Sequence, residues 1–158
     1  MKINGFIFIL SLVTSMVFAG NLLDSKVLIL TGNKTSNYMA EGIFSNGKGE
    51  IAKSELKAIR HAYTDEQGYE RLVFDFSTEV LPQVYGNFSG KEKKIYLDLF
   101  NTTLNSKIDS FGNSKFVNEL DLFPITSESL SLEITLKEQL SVDVFYLQNP
   151  ARLVIDIR

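Results

Sequence analysis

Pro150-Ala151-Arg152-Leu153-Val154-Ile155-Asp156-Ile157-Arg158 is the stretch whose alternation decides the fold class. Successive side chains of an extended strand point to opposite faces. Arg152, Val154 and Asp156 therefore share one side, and Leu153, Ile155 and Ile157 share the other. The same order occurs twice earlier, in Arg71-Leu72-Val73-Phe74-Asp75-Phe76 and in Lys94-Ile95-Tyr96-Leu97-Asp98-Leu99. Each copy is a basic residue, three apolar residues, an Asp and a further apolar residue. The purely apolar side is built of large, branched or aromatic residues, which suit a sheet core. One buried face is enough to specify a strand, so burial accounts for that side. It does not account for the recurrence of base and acid on the other.

Outward from these copies the signals remain β. Leu56 to Thr64 alternates, with Leu56, Ala58 and Ala62 in one phase and Ile59 and Tyr63 in the other. Asp65 to Gly68 is a turn. Gln83 to Phe88 is a short strand, and Ser89-Gly90-Lys91 a hairpin turn after it. Asn101 to Lys115 is the longest interior loop. Phe116 to Phe123 is a strand with Leu120 and Leu122 inward, stopped by Pro124, which cannot donate to a ladder. Ser129 to Lys137 has the cleanest alternation, with Leu130, Leu132, Ile134 and Leu136 inward. Leu140 to Leu147 is a strand with Val142 and Val144 on one side. Upstream, residues 20–53 form a partly irregular lead-in. Val27 to Leu30 could be one strand, whereas Thr31 to Gly49, rich in Gly, Asn, Ser and Lys, favours loop. About eight short strands without a helix predict an all-β sandwich or barrel. A strand followed by a motif strand occurs near both ends of the domain. The copies start 23 and then 58 residues apart, so this is internal pseudo-symmetry within one domain and not a solenoid.

Composition is that of an ordinary globular domain, 44% hydrophobic and 22% charged, with a net charge of −3. Residues 1–19 have a signal-peptide layout: Lys2, an apolar run from Phe6 to Val13, and Val17-Phe18-Ala19 before a cut at Gly20. The run is short for a membrane span. Of the 16 basic residues only Lys2 lies in this segment, leaving 15 against 19 acidic and a mature charge of −4. That balance gives no reason to expect nucleic acid or anionic lipid as partner. The expected location is the periplasm, with no stable membrane span after cleavage. There is no Cys, which excludes disulfides, thiolate metal sites and a lipidated N-terminal Cys. His61 is the single His, too few for a His-rich metal site, and no cofactor is expected.

"ERLVFDFS", "KKIYLDLFNTTL" and "LQNPARLVIDIR", in that order, resemble the AMIN domain family. These are exported bacterial modules at the front of N-acetylmuramoyl-L-alanine amidases and pilus secretins. The resemblance covers about residues 54–158. It implies a β-sandwich of two similar antiparallel sheets with the motif positions on the outer faces. It also implies a non-catalytic role: binding peptidoglycan and placing itself or a partner, such as an amidase or a secretin, at the cell wall. The amidase chemistry resides in a separate zinc domain, and one His without a zinc-ligand set gives no basis for carrying it over. Such a module would act through a partner or by binding alone.

The candidate ligand-binding set is Arg71, Asp75, Lys94, Tyr96, Asp98, Arg152 and Asp156. Within a strand, base and acid are four residues apart, about 13 Å, and cannot pair. Across strands they can, and such surface pairs contribute about 0–1 kcal/mol. A solvated face with modest cross-strand ladders therefore explains both residue types. The alternative is a polar plate, in which Arg grips stem-peptide carboxylates through two parallel hydrogen bonds and Asp accepts from sugar hydroxyls. Tyr96, in phase between Lys94 and Asp98, is the best placed ring for stacking on a sugar. Tyr69, Tyr85 and Tyr146 fit core or rim. His61 reads as structural, with no Ser and acid at recognisable spacing.

Three functions remain open on these residues. One is a peptidoglycan-binding module. Another is an assembly or accessory protein of an envelope machine, pairing through sheet edges, although Lys91, Lys93 and Lys94 would blunt one. The third, a small-ligand barrel or hydrolase, would need a deep apolar pocket.

Overall fold

A computed structural model describes residues 27–47, 52–108 and 111–158. The signal-like segment 1–19 lies outside the described residues. The described residues are all-β, with eleven strands: β1 (Val27–Ile29), β2 (Glu41–Ser45), β3 (Ser54–Thr64), β4 (Tyr69–Phe76), β5 (Val84–Ser89), β6 (Lys94–Phe100), β7 (Thr102–Leu104), β8 (Val117–Thr126), β9 (Ser129–Leu136), β10 (Val142–Leu147) and β11 (Arg152–Ile157). They form a six-stranded sheet in the order β1-β2-β5-β6-β9-β8 and a five-stranded sheet in the order β10-β11-β4-β3-β7. Neither sheet is purely antiparallel. β1 runs parallel to β2, and β7 parallel to β3, each pair at a sheet edge.

The period-2 residues behave as their alternation dictates. Leu153, Ile155 and Ile157 are fully buried, and so are Leu72 and Phe74 of β4 and Ile95 of β6. Together with Leu130, Leu132, Ile134 and Leu136 they belong to one hydrophobic cluster that draws on both sheets. Each motif strand is the second arm of an antiparallel hairpin: β3–β4, β5–β6 and β10–β11. The first and third copies are also neighbours, with Arg71 opposite Asp156 and Asp75 opposite Arg152. The second copy, β6, lies in the other sheet between β5 and β9.

Three local expectations are corrected. Glu41–Ser45, inside the stretch read as loop, is β2. It packs Phe44 over Gly86 of β5, where a Cβ would run into the ring. A glycine in a strand interior here makes room for an aromatic ring from the neighbouring strand. Thr102–Leu104, also read as loop, is the short edge strand β7. Pro124 does not stop β8, which continues to Thr126 with Pro124 opposite Leu130. β8 is an edge strand, where a missing N–H can be tolerated.

The segment between β1 and β2 leaves the six-stranded sheet and runs along the five-stranded one. The Tyr146 amide donates to the Thr31 carbonyl at 3.1 Å, and Met39 and Val142 exchange backbone hydrogen bonds at 2.8 and 2.9 Å. Residues 32–38 thus bow across the outside of β10 and β11. This loop covers Asp143 and Asp156, which are buried, like Phe145 and Val154, without facing the shared core. No helix among the described residues is long and apolar enough to cross a membrane.

Candidate functional site

The seven candidate residues do not form one plate. Arg71, Asp75, Arg152 and Asp156 lie on the five-stranded sheet, and Lys94, Tyr96 and Asp98 on the six-stranded one. On the five-stranded sheet Arg71, Asp75 and Asp156 are each paired within the molecule. Arg71 grips Asp156 with two parallel hydrogen bonds, Nε to Oδ1 at 2.7 Å and Nη2 to Oδ2 at 2.8 Å. Lys34, from the covering loop, donates to the same Oδ2 at 2.5 Å. The Asp156 side chain is 0% exposed, so it is an internal ion and not a displayed one. The Asp156 carboxylate raises the pKa of the Arg71 guanidinium. For Lys34, burial opposes the charge, but the hydrogen bond and charge of Asp156 outweigh it and the pKa is raised.

Asp143 stands opposite Asp156 on β10 and is equally buried. It accepts from the Ser36 amide at 2.9 Å and the Thr35 hydroxyl at 3.4 Å. Burial pushes its pKa up despite these bonds. Further along the sheet, Asp75 is held by Arg60 through two bonds of 2.6 and 2.7 Å, and not by Arg152, its neighbour in register. Arg152 has no carboxylate partner among the described residues, and its Nε is buried without a hydrogen bond.

The six-stranded sheet presents a different surface. Its face away from the core carries Tyr85 and Asn87 of β5 opposite Asp98 and Tyr96 of β6, which in turn stand opposite Ser131 and Glu133 of β9. Tyr85, expected at core or rim, is instead 42% exposed. Asp98 accepts one hydrogen bond, from the Ser131 hydroxyl at 2.6 Å, and among the described residues meets no cation within salt-bridge distance. Lys94 pairs with Glu133, a bond that raises its pKa. Phe123 of β8 and Phe100 of β6 continue the row of exposed rings on this sheet. No described segment crosses this face in the way residues 32–38 cross the other.

A constellation that sequence spacing missed lies at the core-facing end of β4. Glu70, fully buried, accepts from the Ser114 hydroxyl and the Phe116 amide, both at 2.7 Å, and from the Lys115 amide at 3.2 Å. Its other partner is His61 Nδ1 at 3.0 Å, whose ring stacks on Phe111. Burial pushes the Glu70 pKa up, but these four partners prevail and lower it. Ser, His and acid meet here, yet the acid bridges the other two. A nucleophile needs the His to take the Ser proton. This geometry pins residues 111–117 to the sheet.

A surface hollow of about 570 Å³ is lined by Ala40, Glu41, Gly90, Gln139, Leu140 and Arg158 among others, and by none of the seven candidate residues. Among the described residues no group of three or more His, Cys, Asp or Glu could hold a metal ion.

No family model, no curated protein and no solved structure is similar to this chain. The geometry of the two faces therefore carries the functional argument.

Proposed function

We propose that this is an exported, non-catalytic module that binds peptidoglycan at the bacterial cell wall, localising itself or a partner there. In this reading the two sheets lie face to face as a β-sandwich, and the ligand lies across the exposed face of the six-stranded sheet. The carrying observation is the group of exposed Tyr85 and Asn87 beside half-buried Tyr96 and Asp98, two rings interleaved with two acceptors that have spare capacity. Sugar rings offer an apolar C–H face and a rim of hydroxyl donors. Covering part of an exposed ring contributes about 1 kcal/mol, so each contact is weak. A repeating polymer engaged by several modules converts such contacts into firm retention. The AMIN-like motifs and the signal-like N-terminus support the same reading.

Sedimentation with purified, insoluble peptidoglycan sacculi tests it. The wild type is expected to pellet. A Tyr85→Ala, Tyr96→Ala variant, shown folded by circular dichroism, is expected to remain in solution. Arg152→Ala serves as the comparison on the other sheet, because Arg152 has no ionic partner to orphan among the described residues. Loss of binding by Arg152→Ala alone would move the site to the five-stranded sheet. A wild type that stays in solution would end the wall-binding reading.

The alternative is an assembly protein of an envelope machine. β8 favours it: an edge strand with Phe123 at 46% and Ile125 at 62% exposure, open to a partner strand. A Phe123→Lys, Ile125→Lys variant that loses an envelope partner in cross-linking, yet pellets with sacculi, would separate the two functions.

A further inference from the structure

On the five-stranded sheet, the ammonium group of Lys34 sits in a small chamber. Its Nζ is 2.5 Å from Asp156 Oδ2, 4.0 Å from the centre of the Tyr69 ring and 5.9 Å from that of Tyr38. A buried carboxylate beside the faces of two aromatic rings is the chemistry that recognises an organic cation. Arg71 holds both oxygens of Asp156, and Oδ2 accepts a second hydrogen bond, from Lys34, on the chamber side. The walls come from β4, β11 and the loop. The occupant comes from the loop alone, 122 residues away in sequence from the Asp it meets.

The loop is fixed by backbone hydrogen bonds at its ends, at Thr31 and Met39. Between them its hold on the sheet consists of Lys34 on Asp156, of Thr35 and Ser36 on Asp143, and of the Tyr38 ring against the Arg158 guanidinium, 3.6 Å from its centre. Ser36 adopts a left-handed backbone conformation, φ 55°, to point its amide at Asp143. Gly32, Asn33, Thr35, Ser36 and Asn37 are all exposed. The middle of the loop can therefore lift without unpairing a strand.

We propose that the Asp156–Tyr69–Tyr38 chamber is a binding site for a primary ammonium group on a ligand, and that Lys34 is its resident occupant. A ligand amine displaces Lys34, and residues 32–37 are the lid that opens when it does, while Tyr38 stays against Arg158. The site is on the other sheet from the glycan face and stands or falls separately from it. A primary amine fits better than a quaternary one, because Oδ2 needs an N–H donor in contact.

Two measurements test the inference, with n-butylammonium chloride as probe. In the first, Lys34→Gly empties the chamber and thermal unfolding is followed at rising probe concentration. Ligand binding to the folded state raises the midpoint by mass action, so about half or more of the lost stability should return. Tetramethylammonium at equal ionic strength should not restore it, nor should n-butylammonium act on Lys34→Gly, Tyr69→Ala. The second uses the wild type and needs no variant to fold. Hydrogen exchange at the Ser36 amide should accelerate about tenfold in n-butylammonium relative to sodium chloride, as its acceptor Asp143 loses the lid. Equal rescue by n-butylammonium and tetramethylammonium, or no rescue with unchanged Ser36 exchange, would overturn the proposal and leave Lys34 as a strut.

Discussion

The two sheets use the same strand motif to opposite ends. On the five-stranded sheet the first and third copies lie side by side, so the acid of one meets the base of the other at Arg71 and Asp156. A loop then covers them, and their charges become internal. On the six-stranded sheet the second copy has no sister strand. Its Lys94 turns to Glu133, and Asp98 is left with a hydroxyl and an exposed Tyr85 for neighbours. Of the two base–acid pairs that adjacency offers, Arg71 with Asp156 forms and Arg152 with Asp75 does not; the solitary copy pairs its base elsewhere and keeps Asp98 clear of any described cation. The repeated polar pattern thus has two physical roles within one chain.

If that contrast is right, removing an acid should have its largest effect where the acids are internal. Asp156→Ala would leave Arg71 and Lys34 beside a vacated, dry site. Stranding a partner of a buried ion pair is strongly destabilising, and the partial exposure of both cations moderates this to about 3 kcal/mol. Urea denaturation of wild type and variant measures it. A loss no greater than that of Asp98→Ala, expected at about 1 kcal/mol or less, would erase the difference between the faces.

Much of this architecture is legible from period 2. The inward residues of β4, β6, β9 and β11 follow from alternation, because a one-residue slip would turn a whole strand inside out. The fate of the outward residues is not local information. Asp156 is buried under a loop more than a hundred positions upstream, in a stretch of Gly, Asn and Ser that carries no periodic signal. β2 offers only Ile43 and Phe44, and β7 spans three residues, too little for alternation to register. Nor does sequence choose between competing partners. Arg152 is opposite Asp75, yet Arg60 reaches that carboxylate diagonally from β3 and takes both oxygens. Tyr85 was hidden for a simpler reason: ring exposure depends on what crosses the face, and nothing described crosses there.

The second acid of the five-stranded sheet sharpens the comparison through pH. Glu70 faces the core side and holds residues 111–117 by accepting three donors besides His61. Glu70→Gln keeps one carbonyl oxygen but turns an NH₂ toward donors, which should cost about 2 kcal/mol near neutral pH. Because the folded pKa is lowered, the stabilisation by the carboxylate is present above the unfolded Glu value of about 4.3. It is lost as pH falls through the folded value. The gap between wild type and Glu70→Gln should therefore narrow in acid. An equal gap at pH 7 and pH 3 would mean that shape, not charge, holds the loop.

The smallest expected change in stability belongs to the face proposed to bind. Tyr85 is exposed, so Tyr85→Ala should shift unfolding by only about 0.5 kcal/mol. Its effect should appear in sacculus retention, where loss of one stacking ring of about 1 kcal/mol corresponds to roughly fivefold weaker binding per site. Asp156→Ala predicts the reverse ordering, a large loss of stability with retention intact in whatever fraction stays folded. The pair of variants forms a double dissociation. A Tyr85→Ala protein as unstable as Asp156→Ala would show that the six-stranded face is built for packing. A stable Tyr85→Ala protein with undiminished retention would move the wall contact away from Tyr85, and Tyr96 beside Asn87 would then have to hold the polymer without it.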